Sequence, residues 1–199
     1  MHELARQLNQ MVILLLQNLF FVFLLTAGLW GIHFINWLLG YRLAILGIFP
    51  RKWFSLLGIF FYPFIHADFN HLFFNSIPLF ILASFVLLYG FPTFYSVSAI
   101  IIVLSGLAIW LFGRRGIHIG ASGLIMGYWS FLLTGAYYQH NTVASLAPAV
   151  VCIYYFGGFV FQLFPTAVKT SFEAHIFGFL AGIAAFYISP LLLSGWAML

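Results

Sequence analysis

Residues 69–113 read FNHLFFNSIPLFILASFVLLYGFPTFYSVSAIIIVLSGLAIWLFG, without a single Asp, Glu, Lys or Arg. A helix crosses the hydrocarbon core of a bilayer with about 20 apolar residues, so the run is long enough to cross twice. Gly90-Phe91-Pro92-Thr93 interrupts it near its middle, with the glycine and proline that mark a turn. The stretch therefore predicts two transmembrane helices, at about 70–89 and 94–112. Its apolar residues are continuous rather than alternating, which excludes the strands of a membrane barrel. Only helices and closed barrels satisfy every backbone N–H and C=O group in lipid.

The same reading extends in both directions. Residues 1–10 are a short polar start with Glu3 and Arg6, and the charge-free run that follows predicts a first helix at about 11–35. Gly113-Arg114-Arg115-Gly116 is a turn, and the next charge-free run reaches Val168, broken by Gln139-His140-Asn141. It predicts helices at about 121–137 and 145–164. After a loop from Pro165 to Glu173, a sixth helix is expected at about 174–193. Residues 37–66 are different, with Arg42, Pro50, Arg51, Lys52 and Pro63 interleaved with Trp37, Trp53, Phe60 and Tyr62. Basic and aromatic residues together suit the membrane interface, so this is an interfacial loop with short amphipathic turns. No repeat divides the chain, and one domain spanning 1–199 suffices.

Composition points the same way. Hydrophobic residues are 64% of the 199 positions and charged residues 5%, against about 25% charged in a soluble domain. Mean hydropathy is +1.11. The net charge of +4 is scattered over short loops, which argues for membrane lipids as surroundings and against a nucleic-acid partner. Cys152 is the only cysteine, so no intramolecular disulfide is expected, and its apolar neighbours suit a small buried thiol. The first apolar stretch lacks a small-residue cleavage site and is read as a retained span.

Polar side chains at membrane depth are costly and by default mark function. Three groups stand out: His66, His71 and Asn75; Ser122 in Gly120-Ala121-Ser122-Gly123; and His175. Each lies near the start of an even-numbered helix, so all converge on one side of the membrane. A serine in a transmembrane helix commonly back-bonds to its own helix, but flanking glycines leave space beside this hydroxyl. A helix N-terminus also offers free N–H groups to a developing negative charge. Gly123 and Gly127 form a strip of small residues that lets another helix approach closely. His175, Gly178 and Gly182 share one helical stripe, so docking those glycines on the strip would bring the imidazole to Ser122. A hydroxyl nucleophile needs such a base. His71 and Asn75, four apart on one face, could hold an oxyanion. The rival reading, zinc held by His66, His71 and His175, lacks an H-E-x-x-H motif and has only Asp68 and Glu173 as nearby carboxylates.

Together, His66-x4-His71-x3-Asn75, Gly120-Ala121-Ser122-Gly123 and Ala174-His175-x2-Gly178-x3-Gly182 resemble the motifs of the rhomboid family of intramembrane serine proteases. The resemblance runs from about residue 45 to 188. The stretch Gly47-Ile48-x-Pro50-Arg51 leading to Pro63-Phe64-x-His66 also resembles a bacterial subgroup of that family. It implies an all-α membrane protein, a bundle of six transmembrane helices with an interfacial first loop and a short central fourth helix. It further implies Ser122 as nucleophile, His175 as general base, and His71 and Asn75 as oxyanion donors beside the Ser122 N–H. His66 would brace the first loop, with Gly120, Gly123, Gly178 and Gly182 as structural support. Family members use no cofactor and no metal and cleave single-pass transmembrane proteins.

The chain departs from the family's pattern in two places. Where many rhomboids carry Trp-Arg, this chain has Leu57 and Gly58, and where an aromatic residue often follows the serine by four, it has Met126. A thioether can still pack on an imidazole. Orientation is contested as well. Arg42, Arg51, Lys52, Arg114, Arg115 and Lys169 lie in the odd loops, which the positive-inside rule would place in the cytoplasm. The resemblance implies the opposite, an active-site face on the non-cytoplasmic side of a bacterial inner membrane. That arrangement is preferred because loop burial can hold interfacial arginines. A catalytically silent binder of membrane segments and a small transporter are the alternatives. For substrate access, the fifth helix and its following loop are the candidate, with Phe159 or Phe161 facing the second helix and Gly157-Gly158 weakening it.

Overall fold

The computed structural model describes residues 2–138, 142–164 and 172–196. Six long helices organise it: α1 (His2–Leu38), α2 (Phe69–Val86), α3 (Phe91–Phe112), α4 (Ser122–Tyr138), α5 (Val143–Phe156) and α6 (Phe172–Trp196). Five described segments are long and apolar enough to cross a membrane: His2–Leu38, Phe69–Tyr89, Phe91–Phe112, Ser145–Leu163 and Phe172–Ser194. The sixth, α4, has 17 residues and most of them are buried. A helix that is apolar all round belongs in the centre of a bundle. Leu124, Ile125, Tyr128, Trp129, Phe131 and Leu132 of α4 form the middle of the main core.

The helix limits follow local chemistry. α1 starts at His2 rather than near Met11, because its polar start holds no Gly or Pro and ties itself with Glu3 to Arg6 and Gln7. Apolar length locates the part in lipid, not the end of the helix. α3 starts at Phe91 rather than 94, since Pro92 sits in the first turn, where its missing N–H leaves no bond unmade. α5 is α-helical only to Phe156, and Gly157–Leu163 continues as a tighter 3₁₀ segment. The expected break at 139–141 lies outside the described residues, as does most of the expected loop from Pro165 to Glu173.

The first loop is amphipathic in detail. It turns through 3₁₀ segments at Arg42–Leu46, Trp53–Ser55 and Tyr62–Phe64 and one α-turn at Gly58–Phe61. Trp53, Phe54 and Leu57 point outward, whereas Ile48, Ile59 and Tyr62 are buried in a small core with Ile109 of α3. A β-carbon on Gly58 would overlap the backbone carbonyl of Gly47, so this chain's loop path excludes a side chain there. Arg51 adopts a left-handed conformation (φ 62°). Its N–H donates to Trp110 O at 2.9 Å and its guanidinium to Leu111 O and Gly113 O, at 3.0 and 2.9 Å. It thereby satisfies carbonyls that the end of α3 leaves free.

Helix pairs are joined by polar contacts inside the bundle, the usual adhesive where lipid gives no hydrophobic drive between helices. Trp30 donates to Ser76 between α1 and α2 (3.0 Å), Tyr128 pairs with Ser98 between α4 and α3 (2.6 Å), and Trp129 donates to Cys152 O between α4 and α5 (3.1 Å). Cys152 is fully buried and free. α4 packs mainly on α6, and α3 also packs on α6. A β-carbon on Gly178 of α6 would overlap Gly123 O of α4, and one on Gly182 would overlap Gly127 O and Ser130 Oγ. The two backbones are thus in direct contact. Gly182→Val should destabilise the protein by at least the ~1–3 kcal/mol of an overpacked core. Gly28→Val, on an open face of α1, should not. Comparable melting temperatures of the two variants in detergent would refute this.

Candidate active site

Ser122 is the first residue of α4. The turn that delivers it passes through Gly120, whose φ of +113° is rarely adopted by residues with a side chain. A β-carbon at Gly120 would lie 2.6 Å from Nε2 of His71 and 3.7 Å from Nδ2 of Asn75. The glycine is therefore required twice, by the turn and by the side chains of α2 against it. The first N–H groups of a helix have no acceptor within it, and that of Ser122 is among them.

His71 and Asn75 project from the first turns of α2, which Asp68 caps by accepting from the His71 N–H at 2.8 Å. His71 Nδ1 accepts from the Ala67 N–H at 3.4 Å, so the ring proton is assigned to Nε2, the atom facing Gly120. Asn75 Nδ2 is buried without a hydrogen-bond partner among the described residues. A buried donor left unpaired costs about 1–3 kcal/mol and calls for an explanation. His66 is fully buried behind them, its ring edge-on to that of His71 at 5.1 Å. Its Nε2 accepts from the Ala121 N–H at 3.3 Å, holding the residue before Ser122. Burial, reinforced by the neighbouring His71 and His33, pushes the His66 pKa down to about 3, so it remains a neutral acceptor.

His175 lies in the first turn of α6. Its Nδ1 is 3.0 Å from the carbonyl oxygen of Gln162. Since a carbonyl only accepts, Nδ1 carries the proton and Nε2 presents its lone pair. Just below, Gly178 lies against Gly123 O, and a β-carbon on Gly123 would stand 3.2 Å from both Ala174 O and Tyr62 Oη. Beside this contact, Arg114 in the loop before α4 forks onto Glu173, two residues before His175.

Ser122, His175, His71, Asn75 and Met126 line one cavity of about 850 Å³. No hydrogen bond joins Ser122 Oγ to His175 among the described residues. No group of three or more His, Cys, Asp or Glu converges as a metal site among the described residues. Phe74 and Pro78 of α2 and Phe159 and Gln162 of the 3₁₀ segment complete much of the wall. Phe159 thus faces the cavity, while Phe161 points outward, 70% exposed. Sequence reasoning missed Gln162 and Arg114. Gln162 meets His175 through its backbone carbonyl, which its side chain does not announce.

A helical membrane bundle with a serine, an imidazole and side-chain donors around one cavity defines a class, and comparison with known proteins narrows it. The family model described as Rhomboid domain matches residues 52–190. The chain belongs to the rhomboid family. It is 35% identical over 172 residues to an uncharacterized protein of Mycobacterium tuberculosis and to one of Mycobacterium bovis, covering 82% of this chain and 71% of each relative. An uncharacterized protein of Mycobacterium leprae is 32% identical over 171 residues, covering 81% and 67%.

The depressed pKa of His66 has a consequence for stability. A group with its folded-state pKa below the unfolded one gives stability that is present above the unfolded value and lost as pH falls towards the folded one. The window here runs from 6.5 down to about 3. His66→Gln should therefore lose less melting temperature than the wild type between about pH 7 and about pH 5. Equal losses in a thermal melt would contradict this.

Proposed function

We propose that this rhomboid-family protein is an intramembrane serine endopeptidase that cleaves single-pass membrane proteins in or near their transmembrane segment. The observation that carries the reading is the buried, unpaired Nδ2 of Asn75 on the cavity shared by Ser122, His71 and His175. A donor kept without an acceptor suits an acceptor that arrives with the reaction, the oxyanion of a tetrahedral intermediate.

In this mechanism Ser122 Oγ attacks the scissile carbonyl carbon while His175 Nε2 takes the hydroxyl proton. The carbonyl oxygen becomes an oxyanion held by the Ser122 N–H, His71 Nε2–H and Asn75 Nδ2–H. As the C–N bond breaks, the imidazolium returns the proton to the leaving amine, leaving an acyl-enzyme. Water, deprotonated by His175, then hydrolyses the ester and restores Ser122. Neither cofactor nor metal has a part in it.

The protein is an integral membrane protein. Its seat in a bacterial inner membrane, with the cavity toward the non-cytoplasmic side, belongs to the proposal. Two facts weaken the opposing charge argument. Arg51 serves the carbonyls that end α3, and Arg114 serves Glu173, so a structural role accounts for both cations whichever way the loops face. The substrate reaches the cavity between α2 and the 3₁₀ segment after α5, which have little contact with each other. A second reading, a silent binder of membrane segments, draws on the missing Ser122–His175 hydrogen bond, and the same experiment decides between the two.

A fluorophosphonate probe should label the purified wild type but not Ser122→Ala. Ser122→Ala and His175→Ala should each abolish cleavage of a transmembrane substrate, with the double variant no worse than either single one. Cleavage surviving in Ser122→Ala would refute the protease. His71→Ala and Asn75→Ala should each lower kcat by roughly a hundredfold or more with little change in KM. Phe159→Ala, which widens the route, should speed cleavage. An unchanged rate would move access elsewhere.

A further inference from the structure

Glu173 is a carboxylate in a place where few are tolerated: the first turn of a membrane helix, with its side chain 8% exposed. A buried charge persists only where it is paired and hydrogen-bonded. Here Arg114 meets the carboxylate with three donors. Its Nε donates to Oε1, its Nη2 to Oε2 at 3.2 Å, and its backbone N–H to Oε1 at 3.3 Å. The guanidinium also lies over the Phe172 ring, 4.6 Å from its centroid. The fork thus grips two successive residues of α6, and a bidentate arginine fixes orientation as well as distance.

What the fork joins is specific. Arg114 opens the segment that ends at Ser122, and Glu173 stands two residues before His175. The arginine end is itself anchored. His118 Nε2 donates to Arg114 O at 2.9 Å, and His118 exchanges backbone hydrogen bonds with Ile48 of the first loop at 2.9 and 3.0 Å. The helix contacts at Gly123–Gly178 and Gly127–Gly182 set the separation of α4 and α6 deeper in the bundle, and Glu173 lies beyond the outer of the two, at the start of α6. The Arg114–Glu173 pair ties down that end.

We propose that Arg114 is a positioning residue for the dyad: through Glu173 it locks the first turn of α6 to the loop carrying Ser122, holding His175 within reach of the hydroxyl. The assignment rests on the protease reading for its chemistry, not for its geometry. Charge neutralisation alone does not achieve the lock. A lysine would still neutralise Glu173 but cannot make the planar fork.

Arg114→Lys separates the two roles, since it leaves no uncompensated buried carboxylate. Arg114→Gln with Glu173→Gln, which removes both charges together, is a second variant that avoids one. In each, the fluorophosphonate labelling rate should fall roughly ten- to a hundredfold, the size expected when a reacting geometry slips by about 1 Å. The second readout needs no catalysis. Nitrogen-15 shifts of the His175 ring should report the Nδ1–H tautomer in the wild type and drift towards the Nε2–H form in both variants, as the ring leaves the Gln162 carbonyl. Wild-type labelling and unchanged ring shifts would overturn the proposal, even if the melting temperature falls. If the wild type is not labelled but the ring shifts still move, the lock stands and the protease reading falls.

Discussion

Four glycines govern how closely two helices can lie. On α6, Gly178 and Gly182 stand where even a methyl group would overlap carbonyl oxygens of α4. In lipid no hydrophobic force draws one helix to another, and close backbone approach is what makes dispersion and polar contacts effective. Everything else in the site inherits that distance. Gly123 O against Gly178 fixes how far the first turn of α6 lies from the first turn of α4. Ser122 and His175 occupy those two turns. Longer side chains at the same places would give an equally apolar bundle with its polar groups out of reach of one another.

The second dependence runs through α2. Gly120, in its left-handed turn, admits the His71 ring and the Asn75 amide to the start of α4, and His66 holds Ala121 from behind. A helix N-terminus, two side-chain donors and a neutral imidazole therefore meet without a Lys or Arg among the cavity's described lining. On the proposed protease reading, that is the low-cost way to assemble donors for an anion that exists only transiently. A permanent cation there would need a permanent partner, as Arg114 and Glu173 have in each other.

Much of this was legible in the sequence, for a definite reason. Ser122, His175, His71 and Asn75 are polar residues inside apolar runs, and helical spacing puts each on a face that can be named in advance. The six runs gave six helices with limits displaced mainly where apolar length and helical propensity part company, as at the polar start of α1 and at Pro92. Other features had no such signature. A backbone carbonyl, such as Gln162 O beneath His175, is present at every residue and stands out at none. The Arg114–Glu173 pair spans 59 positions, and no periodicity relates its members. The left-handed Arg51 is a response to the end of α3, which the sequence of the first loop does not announce. Gly58 has no room for a side chain because the loop crosses itself at Gly47, a property of the path rather than of the residue.

The segment Gly157–Leu163 joins two of these threads. A 3₁₀ run of seven residues is long for that geometry, and Gly157-Gly158 at its start lowers helix propensity by about 1 kcal/mol per residue. It is thus a weakly held stretch of the cavity wall, and its Phe159 lines the cavity with Phe74 and Pro78 of α2. The same stretch supplies the carbonyl that holds the proton on Nδ1 of His175. Any outward displacement large enough to admit a peptide would withdraw that carbonyl by a similar distance. The imidazole would then be free to turn, and the lone pair on Nε2 would no longer be assured. On the proposed protease reading, access beside Phe159 and base orientation would therefore share one piece of backbone. A substrate that entered beside Phe159 would have to let the segment return, or replace the carbonyl with one of its own, before the hydroxyl of Ser122 could give up its proton.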